Sequence, residues 1–217
     1  MNVVVIVLAG GGSTRFGTDK LAAELDGQPL LHHALERAAE TADRIVLVLA
    51  PEVAVPALPP GIEGRIEIVR DDARDQGPLA GVAAGLARLS ADAPADAVAI
   101  VVGGDMPRLV PGVLRLLAER VTRDKGTAAA VLEGDPVPSL PVALRQSAAL
   151  EAARALLAAD RRSLRALLDE LAEVTVPAGE WRLLDPAGTT LADVDTPEDL
   201  ARDVKTPAPG RKDGRSA

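Results

Sequence analysis

The chain has no cysteine and no tyrosine, and only one phenylalanine, one tryptophan and two histidines. Without cysteine there is no disulfide framework, no thiolate metal site and no thiol nucleophile. His32 and His33 are adjacent and alone, which rules out a histidine-rich metal centre. So few aromatics argue against single-stranded nucleic-acid binding, which relies on stacking platforms. Positive charge is also short. The formal net charge of −8 disfavours nucleic acid or an anionic membrane as partner. No run of 18 apolar residues occurs, and the first residues already read as a core strand rather than a leader. The expectation is a soluble, cytoplasmic protein, a monomer or weak homo-oligomer.

What is present is aliphatic. Hydrophobic residues make up 47% of 217, enough for a core built from Ala, Val, Leu and Ile in one sizeable domain. Strand-like runs near 3–8, 44–50, 66–70, 97–102, 127–132 and 139–144 alternate with helical patterns near 29–41, 78–90, 110–123, 147–158 and 162–172. A last helix is expected to begin at Pro197. This alternation implies an α/β fold: a three-layer, doubly wound, mostly parallel sheet of Rossmann-like type. Residues 1–204 are read as one domain. Residues 205–217 have almost no apolar side chains and are expected to be disordered. Trp181 is read as a core or lid anchor.

The first strand runs into Leu8-Ala9-Gly10-Gly11-Gly12-Ser13-Thr14-Arg15-Phe16-Gly17-Thr18-Asp19-Lys20. Glycines after a strand let the backbone turn tightly and bring its N–H groups to a ligand. Arg15 and Lys20 add the positive charge that a polyphosphate requires. Two familiar phosphate loops are excluded. Arg15 stands where the dinucleotide fingerprint needs its third glycine, and Thr18 stands where the Walker loop needs lysine. The reading is still a nucleotide phosphate site, with amides from Leu8, Ala9, Gly10, Gly11 and Gly12 holding the phosphates. Such a sheet gathers ligands at the carboxyl ends of its strands.

Asp105 lies in Gly103-Gly104-Asp105-Met106-Pro107, directly after a buried strand. A carboxylate so placed suits a hard, oxygen-ligated cation such as Mg²⁺, although an aspartate before proline can also serve as a turn residue. Asp193 and Asp195 precede Thr196-Pro197-Glu198-Asp199, which reads as a helix start. Asp195 either touches metal, directly or through water, or caps the loop. Gly77-Pro78-Leu79-Ala80-Gly81 opens a helix whose N-terminus favours anions. Asp71 follows a strand and suits a ribose or base contact, or a solvated turn. Arg145, Arg161, Arg162 and Arg165 read as surface arginines at helix ends.

Four segments in order carry a resemblance: Leu8-Ala9-Gly10-Gly11 with Arg15-Phe16-Gly17 and Asp19-Lys20; Asp75-Gln76-Gly77-Pro78-Leu79-Ala80-Gly81; Gly103-Gly104-Asp105-Met106-Pro107; and Asp193-Val194-Asp195-Thr196-Pro197-Glu198-Asp199-Leu200. Over residues 3–203 the chain resembles the nucleotidyltransferases related to the molybdenum cofactor guanylyltransferases. Departures are Phe16 for methionine, Gly103-Gly104 for Pro-Cys, aspartate for asparagine at 193 and 195, and Val48 where asparagine is frequent.

The resemblance implies Mg²⁺-dependent transfer of GMP from GTP to the terminal phosphate of molybdopterin, with release of pyrophosphate. It implies Asp105 as metal ligand, with Asp195 beside it. Arg15, Lys20 and Asp105 would be the catalytic residues, and Asp71, Gly77, Pro78 and Leu79 would lie along the nucleoside. The resemblance also implies a second role for Arg145, Arg161, Arg162 and Arg165, as a cluster facing the acceptor. Leu8-Ala9-Gly10-Gly11 and the Gly77–Gly81 segment favour guanylyl over cytidylyl transfer. A cytidylyltransferase, another nucleotidyltransferase with a different phosphorylated acceptor, and a non-catalytic nucleotide-binding module of the same fold are the alternatives.

Overall fold

A computed structural model describes residues 3–10, 20–71, 77–90, 94, 96–196 and 198–200. The main elements are β1 (Val3–Leu8), the short pair β2 (Glu24–Leu25) and β3 (Gln28–Pro29), α1 (Leu30–Thr41), β4 (Arg44–Leu49) and β5 (Ile66–Arg70). They continue with α2 (Gly77–Ser90), β6 (Val98–Gly103), α3 (Pro111–Arg123), β7 (Ala129–Leu132) and β8 (Val142–Arg145). Last come α4 (Gln146–Ala158), α5 (Leu164–Glu170), β9 (Glu173–Val176) and α6 (Ala178–Trp181).

Seven strands form one sheet in the order β5-β4-β1-β6-β8-β7-β9. The pairs β5–β4, β4–β1 and β1–β6 are parallel, as is β7–β9; β8 runs antiparallel to both β6 and β7. This is the expected doubly wound sheet, with one reversed strand. The period-2 geometry of β-branched strands sends alternate residues to opposite layers. Val5, Val7, Ile45 and Leu47 pack with α1, α3 and Trp181. Val4, Ile6, Val46 and Val48 pack with α2, α4 and α5 on the other face. Both faces are apolar because both are covered.

The chain leaves β1 towards β4 and β5, then returns to place β6 on the other side of β1. The reversal puts Leu8 opposite Gly103 in the register, so the connections leaving β1 and β6 diverge at a single switch point. Ligand crevices form at such points.

Several elements differ from expectation. The helix expected over 162–172 is shorter: Ser163 caps it by accepting from the Ala166 N–H at 3.0 Å, and it ends at Glu170, which frees Glu173–Val176 to form β9. The β2–β3 pair and α6 are too short to show a period in sequence. Trp181 is fully buried in the core and donates its indole N–H to the Glu133 carbonyl at 3.2 Å. The expectations for the 205–217 tail and for Pro197 fall outside the described residues, although 198–200 are helical.

Candidate active site

Leu8 and Gly103 end neighbouring strands, and the chain just beyond them is drawn together by main-chain bonds. The Gly104 N–H donates to the Leu8 carbonyl at 2.9 Å, and the Ala9 N–H to the Val48 carbonyl at 2.8 Å. The fit at Gly104 is tight: a Cβ there would stand 3.2 Å from the Leu8 oxygen and 3.1 Å from Leu31. Asp105 is therefore delivered to the β1 edge by a closely packed backbone.

A third segment completes the site from the far end of the chain. Asp185 is buried; it accepts from the Thr190 N–H at 2.7 Å and from the Thr189 hydroxyl at 3.1 Å. The Thr190 hydroxyl oxygen in turn accepts from the Val110 N–H at 3.1 Å. This clamp ties the stretch after α6 to the segment following Asp105. Next, the Val194 N–H donates to the Asp105 carbonyl at 3.0 Å while its side chain packs with Leu25 and Leu30. With Val194 turned inward, Asp193 and Asp195 on either side of it stay exposed.

Lys20 lies in the short 3-10 turn Lys20–Ala22. Its Nζ is 2.7 Å from Asp105 Oδ2 and 2.7 Å from Asp195 Oδ1, across sequence separations of 85 and 175 residues. Side-chain exposure is 12% for Lys20, 30% for Asp105 and 55% for Asp195. The Asp105 arm is the better shielded and so the stronger of the two. Burial opposes the ammonium charge, but the two hydrogen bonds and the charges behind them prevail and hold the Lys20 pKa above the ordinary lysine range. Asp193 shows the opposite stress. Lost hydration at its carboxyl, then the charges of Asp195 and Asp105, push its pKa up. Three carboxylates thus surround one ammonium among the described residues, leaving an excess of negative charge that a cation would relieve.

The structure brings together Leu8, Ala9, Gly10, Lys20, Asp105 and Asp195. Gly11, Gly12 and Arg15 lie outside the described residues. Asp71 follows β5 on the same edge, its N–H bonded to the Leu49 carbonyl at 3.1 Å. Gly77 opens α2 with Pro78 and Leu79 behind it. Its φ of +71° and the Arg162 carbonyl, 2.9 Å from where a Cβ would stand, both require glycine.

The arginine group does not assemble. Arg145 donates to the carbonyls of Val121 (2.5 Å), Asp124 (2.9 Å) and Thr127 (3.1 Å). It lies at the opposite end of the sheet, because β8 runs antiparallel and sets Arg145 beside Val98. Arg161 pairs with Glu170, Arg162 with Asp160 and Arg165 with Asp169, at 2.7, 2.7 and 2.9 Å. A shallow groove of about 510 Å³ runs along α4, from Ala128 and Ala172 to Arg161, and holds none of the converging groups. Sequence reasoning missed the Asp185–Thr190 clamp. An isolated Asp before Thr-Thr carries no distinctive signal until the chain is folded.

Residues 5–174 match a family described as the MobA-like NTP transferase domain. The chain belongs to that family. It is a nucleotidyltransferase. One relative, from Chloroflexus aggregans, is named "Probable molybdenum cofactor guanylyltransferase"; it is 31% identical over 199 residues, 90% of each chain. Another, from Rhizobium leguminosarum bv. trifolii, is named "Molybdenum cofactor guanylyltransferase" and is 34% identical over 205 residues, covering 90% of this nucleotidyltransferase and 88% of the relative. The solved molybdopterin-guanine dinucleotide biosynthesis protein A of Archaeoglobus fulgidus shares the fold, with a TM-score of 0.76 at 24% identity over 93% of this chain and 97% of that one. Among the described residues no helix is long and apolar enough to cross a membrane.

Proposed function

We propose that this nucleotidyltransferase transfers GMP from GTP to the terminal phosphate of a molybdopterin-type acceptor, in the cytoplasm, and with Mg²⁺. The observation that carries the reading is the Lys20 ammonium held at 2.7 Å from both Asp105 and Asp195 at the switch point. The curated relatives' names supply the guanylyl donor and the cofactor acceptor.

An oxygen of the acceptor's terminal phosphate attacks the α-phosphorus in line. The bond from that phosphorus to the bridging oxygen breaks, and the oxygen leaves with the electron pair as pyrophosphate. No protein nucleophile is needed, in keeping with a chain that has no cysteine. Catalysis rests on positioning and charge neutralisation. Amides of the Leu8–Gly12 loop hold the phosphates, and Arg15 and Lys20 offset charge on the leaving group. Asp71 and the Gly77-Pro78-Leu79 turn border the nucleoside.

The donor set fits Mg²⁺. Two hard carboxylate oxygens converge on one point, and Mg²⁺ is held by one or two carboxylates together with substrate phosphates. Asp105 and Asp195 would hold the ion, which supplies charge neutralisation at the reacting phosphates. Lys20 then exchanges its carboxylate partners for phosphate oxygens when the triphosphate arrives.

A thermal-shift series with GTP, CTP, ATP and UTP, each with Mg²⁺, tests the donor. A nucleotide that binds the native state raises the melting temperature by mass action. GTP is expected to give the largest rise; stabilisation by CTP and not GTP would refute guanylyl transfer.

A further inference from the structure

We infer that Arg70 is a positioning residue for the nucleoside of the donor, acting through the turn that follows β4. The inference rests on the proposed placement of the nucleotide along the edge from Gly10 to Gly77. Arg70 ends β5 and is exposed. Its Nη1 lies 2.9 Å from the Ala50 carbonyl, 3.0 Å from that of Pro51 and 2.8 Å from that of Val53. One guanidinium end thus gathers three main-chain oxygens of a single turn. The turn is also closed on itself, with the Val53 N–H 3.2 Å from the Ala50 carbonyl.

The turn borders the phosphate loop directly. The Ala50 nitrogen is 3.1 Å from the place a Cβ on Gly10 would take. Ala9 and Asp71 are bonded to the carbonyls of Val48 and Leu49, just before it. Ala50–Val53 therefore lies between Gly10, just after β1, and the Asp71 end of β5, on the edge proposed for the nucleoside. Val48 is buried and apolar, so its side chain offers no hydrogen bond. The polar surface here is the main chain of the turn.

Arg70 fixes that main chain at three points. The stretch over 51–60 has no helix or strand of its own. Its far end is tied by His32, whose Nε2 lies 2.9 Å from the Ala57 carbonyl. Charge-assisted bonds are the stronger kind, and the Nη1 end of the guanidinium shares its N–H groups among the three oxygens. Lysine keeps the charge on a shorter stem, so its ammonium would stand further from them.

Equilibrium binding of Mg·GTP and of inorganic tripolyphosphate to wild type, Arg70→Ala and Arg70→Lys tests the role. Arg70→Ala is expected to weaken GTP binding about tenfold, the scale of a loosened positioning contact. Tripolyphosphate affinity should hold, and pyrophosphate release should show a raised KM with kcat within about twofold. Arg70→Lys, the milder variant, should fall between. Equal weakening of GTP and tripolyphosphate would overturn the inference, since Arg70 would then act on the phosphates or on the fold at large. So would unchanged GTP binding in Arg70→Ala. If wild type prefers another base, only the guanylyl reading fails, and that nucleotide serves in the same comparison.

Discussion

The two ends of the central sheet handle charge in opposite ways. At the end where the parallel strands begin, arginines are fully engaged by the fold. Glu67 pairs with Arg44 at 2.9 Å and also with Arg88. Arg65 donates to the carbonyls of Ala39 at 2.7 Å and Ala42 at 2.6 Å, and Arg145 ties the last turn of α3 to the residue that follows it. At the end where those strands finish, Lys20 faces Asp105, Asp195 and the stressed Asp193. Among the described residues, one end has matched charges and holds the chain, while the other gathers three carboxylates around one ammonium. Substitutions at the two ends should therefore fail in different assays.

The largest contrast is expected at Lys20. Removing a single preorganised electrostatic contact costs on the order of 10²–10³ in rate, so Lys20→Met should lose that much pyrophosphate release while melting close to wild type. The same variant removes the cation that competes for the two carboxylates. Mn²⁺ titrated into the nucleotide-free protein, followed by electron paramagnetic resonance, should bind Lys20→Met more tightly than wild type. Weaker binding would show that Lys20 does not stand in the metal's place.

Asp185→Ala comes next. It leaves the Thr190 N–H without its carboxylate in a buried setting, a loss of about 1–3 kcal/mol. Chemical denaturation should report that loss, and turnover should fall with it because the clamp steadies the segment carrying Asp195. A stable Asp185→Ala with normal turnover would separate the clamp from the site.

Glu67→Gln sharpens the other side. Burial opposes the Glu67 charge, but the hydrogen bonds from Arg44 and Arg88 win and hold its pKa below the ordinary glutamate value. A depressed carboxyl contributes stability that is present above its unfolded pKa and lost as pH falls through its folded one. The variant should lose about 1 kcal/mol or less at neutral pH, given solvent screening. The gap to wild type should close in acid, and pyrophosphate release should stay within about twofold.

The smallest effect belongs to Asp193→Asn. The Asp193 pKa is raised, so the folded state binds the proton more tightly and loses stability as pH rises through the unfolded and then the folded value. Asparagine removes that loss. The nucleotide-free variant should be more stable at neutral pH, by less than about 1 kcal/mol at an exposed position, with no gain in acid.

Much of this architecture was legible because long apolar periods survive folding unchanged. The strand expected over 66–70 is β5, and the helix expected over 78–90 is α2 with Gly77 added. The glycine loop and Asp105 each follow a strand, so a shared edge could be anticipated. What could not be read was register across distance. Asp195 meets Lys20 only because Val194 docks on Leu25 and Leu30, a contact set by tertiary packing. Arg145 misled for a related reason. It is close in sequence to Arg161 and Arg162, yet the antiparallel run of β8 carries it to the far end. β9 was hidden behind a helix that stops earlier than its leucine pattern suggests.

The account stands most directly on Asp105. Pyrophosphate release should be measured with Mg·GTP and a molybdopterin acceptor for wild type and Asp105→Ala, with melting curves to confirm that both are folded. A loss of at least about 10² in rate is predicted for the folded variant. A folded Asp105→Ala that releases pyrophosphate at the wild-type rate would contradict it.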